Sequence, residues 1–133
     1  MLKTIMFIIA GVYFTLSALT IGAQAPEPVK RAVFTFGIEE REPINDLDSV
    51  STDSTRVYFF TEIVGQAGTS VTHRWVYNGK TMAEVPFQIG GERWRVYSSK
   101  KLISEWTGTW KVEVIDANGV AMREETLVYY KAE

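Results

Sequence analysis

The chain of 133 residues contains no cysteine. Disulfide bonds, thiol catalysis, cysteine-ligated zinc and an N-terminal lipid on cysteine are therefore excluded. Histidine is almost as scarce, because His73 is the only one. A tetrahedral zinc site needs three or four nitrogen, sulfur or carboxylate ligands, so no such site is expected. On its alternating strand, His73 is instead expected to be a partly buried, hydrogen-bonded structural residue.

The sequence also lacks an excess of positive charge. It has 14 Lys and Arg residues against 16 Asp and Glu residues, which gives a formal net charge of -2. Nucleic acids and anionic membrane surfaces are recognised by concentrated basic patches, so neither is expected as a partner. The sequence contains no Gly-x-Ser-x-Gly nucleophile elbow and no phosphate-binding glycine loop, and no cofactor is predicted.

The first 25 residues have the pattern of a secretory signal peptide. Lys3 precedes a mostly apolar run over residues 5–21, and the small residues Gly22, Ala23 and Ala25 follow. These are the three parts of such a signal, so we predict a signal helix over residues 1–23 and export to the periplasm, the cell surface or the medium. The alternative is an uncleaved anchor, because the apolar run is just long enough to span a bilayer. That anchor would be the protein's connection to a membrane.

A polar lead-in over residues 24–30 is predicted to precede a single folded domain over residues 31–133. Within this domain the apolar residues recur with a period of two, which is typical of β-strands rather than helices. The predicted strands are residues 32–38, 56–64, 70–77, 81–89, 93–98, 110–115 and 120–130.

Turn residues separate these predicted strands. Asn78-Gly79 and Gly90-Gly91 suit tight hairpins, and residues 116–119 suit a four-residue hairpin. Short strands with regularly spaced turns predict an all-β fold, and specifically an antiparallel two-sheet sandwich of the immunoglobulin-like or jelly-roll type. A β-barrel is the alternative.

Side-chain alternation along a strand also predicts which residues form the core. Three tryptophans fall on apolar strand faces, namely Trp75, Trp94 and Trp110. Trp106 lies in a predicted turn and is expected to be the least important of the four for stability. Two segments break the strand pattern: the acidic stretch 39–53 predicts a polar loop, and residues 100–103 suit one helical turn.

Several motifs after the signal segment resemble those of one bacterial family. The motifs are Arg31-Ala-Val-Phe-Thr-Phe-Gly-Ile, Arg41-Glu-Pro, Val57-Tyr-Phe-Phe-Thr-Glu, Thr72-His-Arg-Trp, Met82-Ala-Glu-Val, Gly90-Gly-Glu-Arg-Trp-Arg-Val-Tyr-Ser-Ser-Lys and Glu105-Trp-Thr-Gly-Thr-Trp-Lys-Val. In order and spacing they resemble domain-of-unknown-function family 2914, from about residue 31 to residue 129. The resemblance implies a short bacterial domain, often near a membrane segment or at the end of a longer chain. It implies no activity and no catalytic residues.

The strongest functional signal is a mixture of arginine and aromatic side chains on the strand faces opposite the tryptophans. Arg74, Arg95 and Tyr97 are predicted to form the centre of a binding face, with Tyr58 and Phe60 beside them. Guanidinium groups provide forked hydrogen-bond donors, and neighbouring rings provide flat apolar area. This mixture predicts a non-enzymatic recognition or accessory domain that binds a protein or a glycan.

Two other functions remain open at the level of sequence. The strand over residues 120–130 could serve as an exposed edge that joins a larger envelope assembly. The acidic stretch could instead supply paired carboxylates for an enzyme. Its residues Asp46, Asp48 and Asp53 are also weak candidates for calcium ligands, although their spacing fits no EF-hand loop.

We predict that the mature protein begins at Gln24. Cleavage after Ala23 leaves small residues before the scissile bond, whereas cleavage after Ala25 would place Pro26 directly after it. Intact mass spectrometry of the exported protein measures this directly. Retention of residues 1–23 would support the uncleaved anchor instead.

Overall fold

The computed structural model describes residues 27–133. The signal helix predicted for residues 1–23, and the start of the predicted lead-in, lie outside the described residues. Within residues 27–133, no helix is long and apolar enough to cross a membrane.

The described chain is almost entirely β-structure, which confirms the predicted all-β class. Its strands are β1 (Val29–Thr35), β2 (Ile38–Glu39), β3 (Glu42–Pro43), β4 (Ser49–Ser51), β5 (Arg56–Val64), β6 (Ser70–Tyr77), β7 (Lys80–Gln88), β8 (Arg93–Lys101), β9 (Gly108–Ile115) and β10 (Ala121–Tyr130). Each predicted strand is present, and β5 and β6 have the predicted bounds.

The longer strands form two sheets. A three-stranded sheet has the order β1-β5-β8, and a five-stranded sheet has the order β4-β10-β9-β6-β7. Strands β2 and β3 form a small separate hairpin. The pairs are antiparallel as predicted, except that β4 runs parallel to the end of β10.

The two sheets pack face to face around an aromatic core, as expected of a two-sheet sandwich. Phe59 on β5 meets Trp75 on β6 edge-on, with ring centroids 6.4 Å apart. Phe34 on β1 packs against both rings. The core therefore draws on the inner faces of both sheets, as period-two alternation requires.

Two of the three predicted hairpin turns are confirmed. Asn78-Gly79 has positive φ at both residues, 51° and 74°, as a two-residue hairpin between right-twisted strands requires. Between β9 and β10, the carboxylate of Asp116 accepts hydrogen bonds from the backbone N–H groups of Asn118 and Val120. Gly119 completes that turn with a φ of 82°.

The hairpin predicted at Gly90-Gly91 is wrong. This segment joins β7 of the five-stranded sheet to β8 of the three-stranded sheet, so it crosses between the sheets. Glycine is needed there because the ring of Trp94 lies against the backbone. A Cβ atom on Gly90 would come within 2.8 Å of that ring.

The irregular segments also differ from prediction. The acidic stretch 39–53 is not simply a loop, because it contributes to β2, β3 and β4. The helical turn predicted at residues 100–103 is wrong, since β8 continues to Lys101 and a 3-10 turn follows at Ser104–Trp106. Cross-strand pairing with β5 extends the strand where local sequence favoured a turn.

The edge role predicted for residues 120–130 is wrong only at Val128–Tyr130, where β4 pairs with β10, because over residues 121–127 the strand pairs with β9 alone. Strand β4 comes from the acidic stretch that precedes β5. The sequence contains no turn signal that indicates pairing between this stretch and the distant strand β10.

Substitution of the tryptophans by alanine is expected to cost more stability at the fully buried positions than at the half-buried one. Trp75 and Trp110 are fully buried, whereas Trp94, predicted to be core, is only half-buried. Alanine at position 75 or 110 should reduce the free energy of unfolding by about 3–5 kcal/mol, and alanine at 94 by less. Urea titration measures these changes. Equal losses for Trp94→Ala and Trp75→Ala would contradict this ranking.

Candidate functional site

The outer face of the three-stranded sheet carries a row of charged residues across its strands. Arg31 on β1 lies opposite Glu62 on β5, and Glu62 lies opposite Arg95 on β8. Directly opposed residues of alternate sign attract each other across a sheet. The register therefore builds a cation-anion-cation row without help from any loop.

The β2–β3 hairpin adds a second carboxylate above this row. Both oxygens of Glu42 accept from the Arg31 guanidinium at 2.8 Å, a bidentate pairing. Arg95 donates to the same carboxylate through Nη1. Arg31 also donates to Glu62 through Nε at 2.7 Å, so it connects the hairpin to the sheet.

Glu62 is buried yet charge-compensated. Its relative exposure is 5%, and its carboxylate lies 2.6 Å from Nη2 of Arg31 and 3.0 Å from Nη1 of Arg93. A buried carboxylate is tolerated when it is paired and hydrogen-bonded. Arg93 itself keeps 70% of its side chain exposed, so much of that guanidinium remains accessible.

The hydrogen bonds from Arg31 and then Arg95 lower the pKa of Glu42 to about 2. The same bond with Glu42 raises the pKa of Arg31, against the effect of desolvation. Hydrogen bonding to the charged form has this effect on both partners. Glu42 and Arg31 therefore stay ionised at neutral pH.

Arg31 covers Phe60, which the sequence predicts to be part of the exposed face. Phe60 is 0% exposed, with the Arg31 guanidinium 4.9 Å from its ring centroid. The prediction of its exposure is wrong because Arg31, whose guanidinium is bound by Glu42 of the hairpin, lies over the ring. Asn45 helps to seat the hairpin, since its side chain accepts from Thr35 Oγ1 at 2.7 Å.

A groove of about 580 Å³ lies beside the hairpin. It is lined by Arg31, Arg41, Glu42, Glu62, Arg93, Trp94 and Arg95. Four arginines against two glutamates leave the lining with an excess of two positive charges. The groove therefore favours anionic groups.

An aromatic pair continues the face next to this groove. Tyr97 follows Arg95 on the same side of β8, and its ring lies 6.5 Å from that of Tyr58 on β5. Tyr97 is 48% exposed. Arg95, Tyr97 and Tyr58 are thus brought together as predicted, and Phe60 lies on the same side of the sheet.

Arg74 does not join them, so its predicted place at the centre of the face is wrong. It lies on β6 of the five-stranded sheet, with Glu113 at 3.5 Å and Glu84 at 3.8 Å. Alternation identifies the side of a strand on which a residue lies, but it does not identify the sheet to which the strand belongs.

The acidic stretch supplies no cation site in the part of the chain that the structure describes. No group of three or more His, Asp or Glu side chains there is arranged to hold a metal ion. The calcium candidates Asp46, Asp48 and Asp53 are exposed and form no such group.

His73 lies between the two sheets in a chain of hydrogen bonds. Its Nδ1 is 2.7 Å from Ser98 Oγ and its Nε2 is 2.9 Å from Thr61 Oγ1. Ser98 Oγ also accepts from Trp75 Nε1 at 3.1 Å. We assign the proton to Nε2, because Ser98 then donates to Nδ1 and Thr61 donates to the Val96 carbonyl at 3.5 Å.

This histidine is structural. It is 0% exposed, and desolvation lowers its pKa to about 3, so it is neutral under ordinary conditions. The sequence predicted a hydrogen-bonded histidine but did not identify Thr61 and Ser98. Their alternation with Phe59 and Val96 on the inner faces of β5 and β8 was the available signal.

Residues 68–126 match the family described as Protein of unknown function (DUF2914), which confirms the predicted resemblance over that part of the chain. No curated protein matches the chain.

One solved structure similar to this chain is the CARDB domain of the PF1109 protein from Pyrococcus furiosus, in complex with di-metal ions. Its TM-score is 0.44 at 11% sequence identity, covering 82% of this chain and 100% of that chain. A similarity at this level supports no inference about ligands.

Burial of neutral His73 predicts a pH dependence of stability. Its pKa is about 3 in the folded state against 6.5 for a freely solvated histidine, so below pH 6.5 the unfolded chain binds a proton that the folded chain does not. The free energy of unfolding should therefore fall between pH 6.5 and 4.5, by about 1 kcal/mol per pH unit. Urea titrations across this window measure the slope.

The variant His73→Gln should flatten this slope, because glutamine does not titrate. Thr61→Val is the matched control, since it removes one hydrogen bond of the same chain but keeps the titrating ring. Below pH 4.5 protonation of Glu42 adds a separate loss, so the comparison ends there. Equal slopes of unfolding free energy against pH in His73→Gln and in the parent would contradict the attribution of this pH dependence to His73.

Proposed function

We propose that this protein is an exported, non-enzymatic recognition domain that binds a partner protein through the outer face of its three-stranded sheet. The observation that carries this proposal is the contiguous surface formed by Arg95, Tyr97 and Tyr58 beside the arginine-lined groove. Arginine and tyrosine are the residue types that most often dominate the binding energy of protein interfaces. A glycan is the alternative ligand.

The strand order supports an immunoglobulin-like version of the sandwich. Strands β1, β5 and β8 occupy the positions of A, B and E, and β6, β9 and β10 occupy those of C, F and G. Strand β7 extends the second sheet beside β6. Such sandwiches support many recognition functions, although the fold by itself assigns none.

The face is pre-organised for binding. Glu42 fixes the guanidinium of Arg95, and Arg31 fixes Glu42 through two parallel hydrogen bonds. Binding to side chains that are already held in place loses less conformational entropy. The positive excess of the groove lining adds an attraction for carboxylates on the partner.

The same contacts favour a non-enzymatic role. A carboxyl group acts as a general acid near neutral pH only when its pKa is raised, whereas that of Glu42 is lowered to about 2. Glu62, the other carboxylate of the groove, is bound by Arg31 and Arg93. Neither carboxylate is positioned as the unpaired base or acid that the enzymatic alternative needs.

The N-terminal pattern supports an extracytoplasmic location. A signal over residues 1–23 would deliver the domain to the periplasm, the cell surface or the medium. The absence of cysteine is compatible with each of these, because the fold does not depend on disulfide formation.

Replacing both Arg95 and Tyr97 by alanine should weaken partner binding at least about tenfold while the domain stays folded. The partner would be captured from envelope extract of the source cells and titrated with the purified variants, in parallel with a glycan array. Circular dichroism would verify folding.

The matched control removes the same two residue types from the other sheet, as Arg74→Ala with Tyr130→Ala. Tyr130 is 49% exposed, so its loss should leave both folding and binding close to those of the parent. Unchanged affinity in the Arg95 and Tyr97 double variant would overturn the proposal. Selective binding to glycans would replace the protein partner with a carbohydrate.

A further inference from the structure

Strand β8 leaves one edge of the three-stranded sheet open. It pairs with β5 over all of Arg93–Lys101, and no strand within residues 27–133 pairs with its other side. Nine residues of extended chain form an edge about 30 Å long. Such an edge presents backbone N–H and C=O groups to an incoming strand.

The edges of β7 and β1 are obstructed. Strand β7 contains Pro86, and its pairing with β6 is interrupted by a register shift. The open side of β1 is met by Leu47 N, which donates to the Phe34 carbonyl, and by Arg123, which donates to the Val29 carbonyl. By contrast, β8 has no proline and pairs with β5 without a register shift.

The positive charge of β8 indicates which kind of strand can pair with its open edge. Its sequence carries Arg93, Arg95, Lys100 and Lys101 and no acidic residue. A second copy of this strand would place like charges side by side, which disfavours self-pairing. An acidic strand would instead meet opposite charges.

The alternation of side chains along β8 determines on which side of the strand its charged residues would meet an added strand. Residues 93, 95, 97, 99 and 101 share the outer side of β8, so two arginines, one lysine and Tyr97 face the same way. On the neighbouring elements, Glu62 pairs with Arg93 and Glu42 pairs with Arg95, and Arg31 pairs with Glu62 as well. Arg93 is 70% exposed and remains available to a further carboxylate.

We propose that an extended acidic segment of the partner protein adds to the free edge of β8 as a further strand, with its carboxylates beside Arg93, Arg95 and Lys101. This inference rests on the proposed recognition function and specifies the chemistry of its partner. Backbone hydrogen bonds would supply affinity, and the alternate carboxylates would supply selectivity.

The probe is a nine-residue peptide that alternates glutamate with valine and is capped at both ends. Calorimetric titration should detect binding to the full chain, and the matched peptide with lysine in place of glutamate should bind at least tenfold more weakly. Amide hydrogen exchange should show new protection within Arg93–Lys101. Failure of the glutamate peptide to bind would overturn the inference.

N-methylation separates strand addition from simple charge attraction. In an extended peptide, the N–H groups of alternate residues point to opposite edges. Methylating one alternate set should abolish binding, and methylating the other set should change affinity less than about threefold. Equal effects of the two sets would overturn strand addition even where the acidic peptide binds.

Charge reversal tests the protein side. Arg93→Glu with Lys101→Glu should weaken binding of the glutamate peptide at least tenfold. Lys80→Glu with Lys131→Glu makes the same charge change at exposed positions elsewhere and should preserve binding. If the first variant does not fold, the methylated peptides still decide the question with the parent protein.

The two proposals fail separately. Loss of the captured partner in Arg95→Ala with Tyr97→Ala, without asymmetric N-methyl effects, would overturn strand addition and leave the recognition face in place. Asymmetric N-methyl effects with normal partner binding by that double variant would overturn the recognition face.

Discussion

The bridge that Arg31 makes between Glu42 and Glu62 determines the outer surface of the three-stranded sheet. Its guanidinium binds a carboxylate of the hairpin and a buried carboxylate of the sheet, and it covers Phe60 between them. Without this bridge the hairpin would lose its bidentate contact, and Glu62 would lose one of its two cations. Because Glu62 is buried, the loss of one of its two cations leaves its charge less compensated and is expected to destabilise the fold. The face beside Tyr97 therefore depends on ion pairing rather than on hydrophobic packing alone.

A second polar system fixes the inner side of the same strand. Ser98 on β8 is hydrogen-bonded to both His73 and Trp75 on β6, so the facing sheets are connected through the core. A fully satisfied buried network favours one arrangement of side chains over others. Strand β8 is thus held on its inner face by this network and along one edge by β5. No strand within residues 27–133 pairs with its other edge, and this combination of a fixed strand with an open edge is suited to binding.

The sequence was sufficient to predict the strands, because alternation is a local property of residues such as those in β5 and β6. It was insufficient to predict which sheet each strand joins, and this is why Arg74 was grouped with Arg95. The burial of Phe60 also depends on distant residues, since Glu42 reaches it through Arg31 rather than through a sequence neighbour. Likewise, Gly90-Gly91 has turn composition, but its role is to accommodate the ring of Trp94. In each of these cases, contacts between residues distant in sequence determine the outcome.

The turn of the β2–β3 hairpin shows that ion pairing also overrides local preference. Glu40 and Arg41 have φ values of 50° and 65°, a region that disfavours residues with a Cβ atom by roughly 1–2 kcal/mol each. At the turn between β6 and β7, the chain uses Asn78-Gly79 for the same conformation, which suits it well. The Glu40-Arg41 turn therefore persists because Glu42 and Asn45 hold the hairpin on the sheet. That attachment places Arg41 at the groove, where a turn optimised for stability would have placed a glycine.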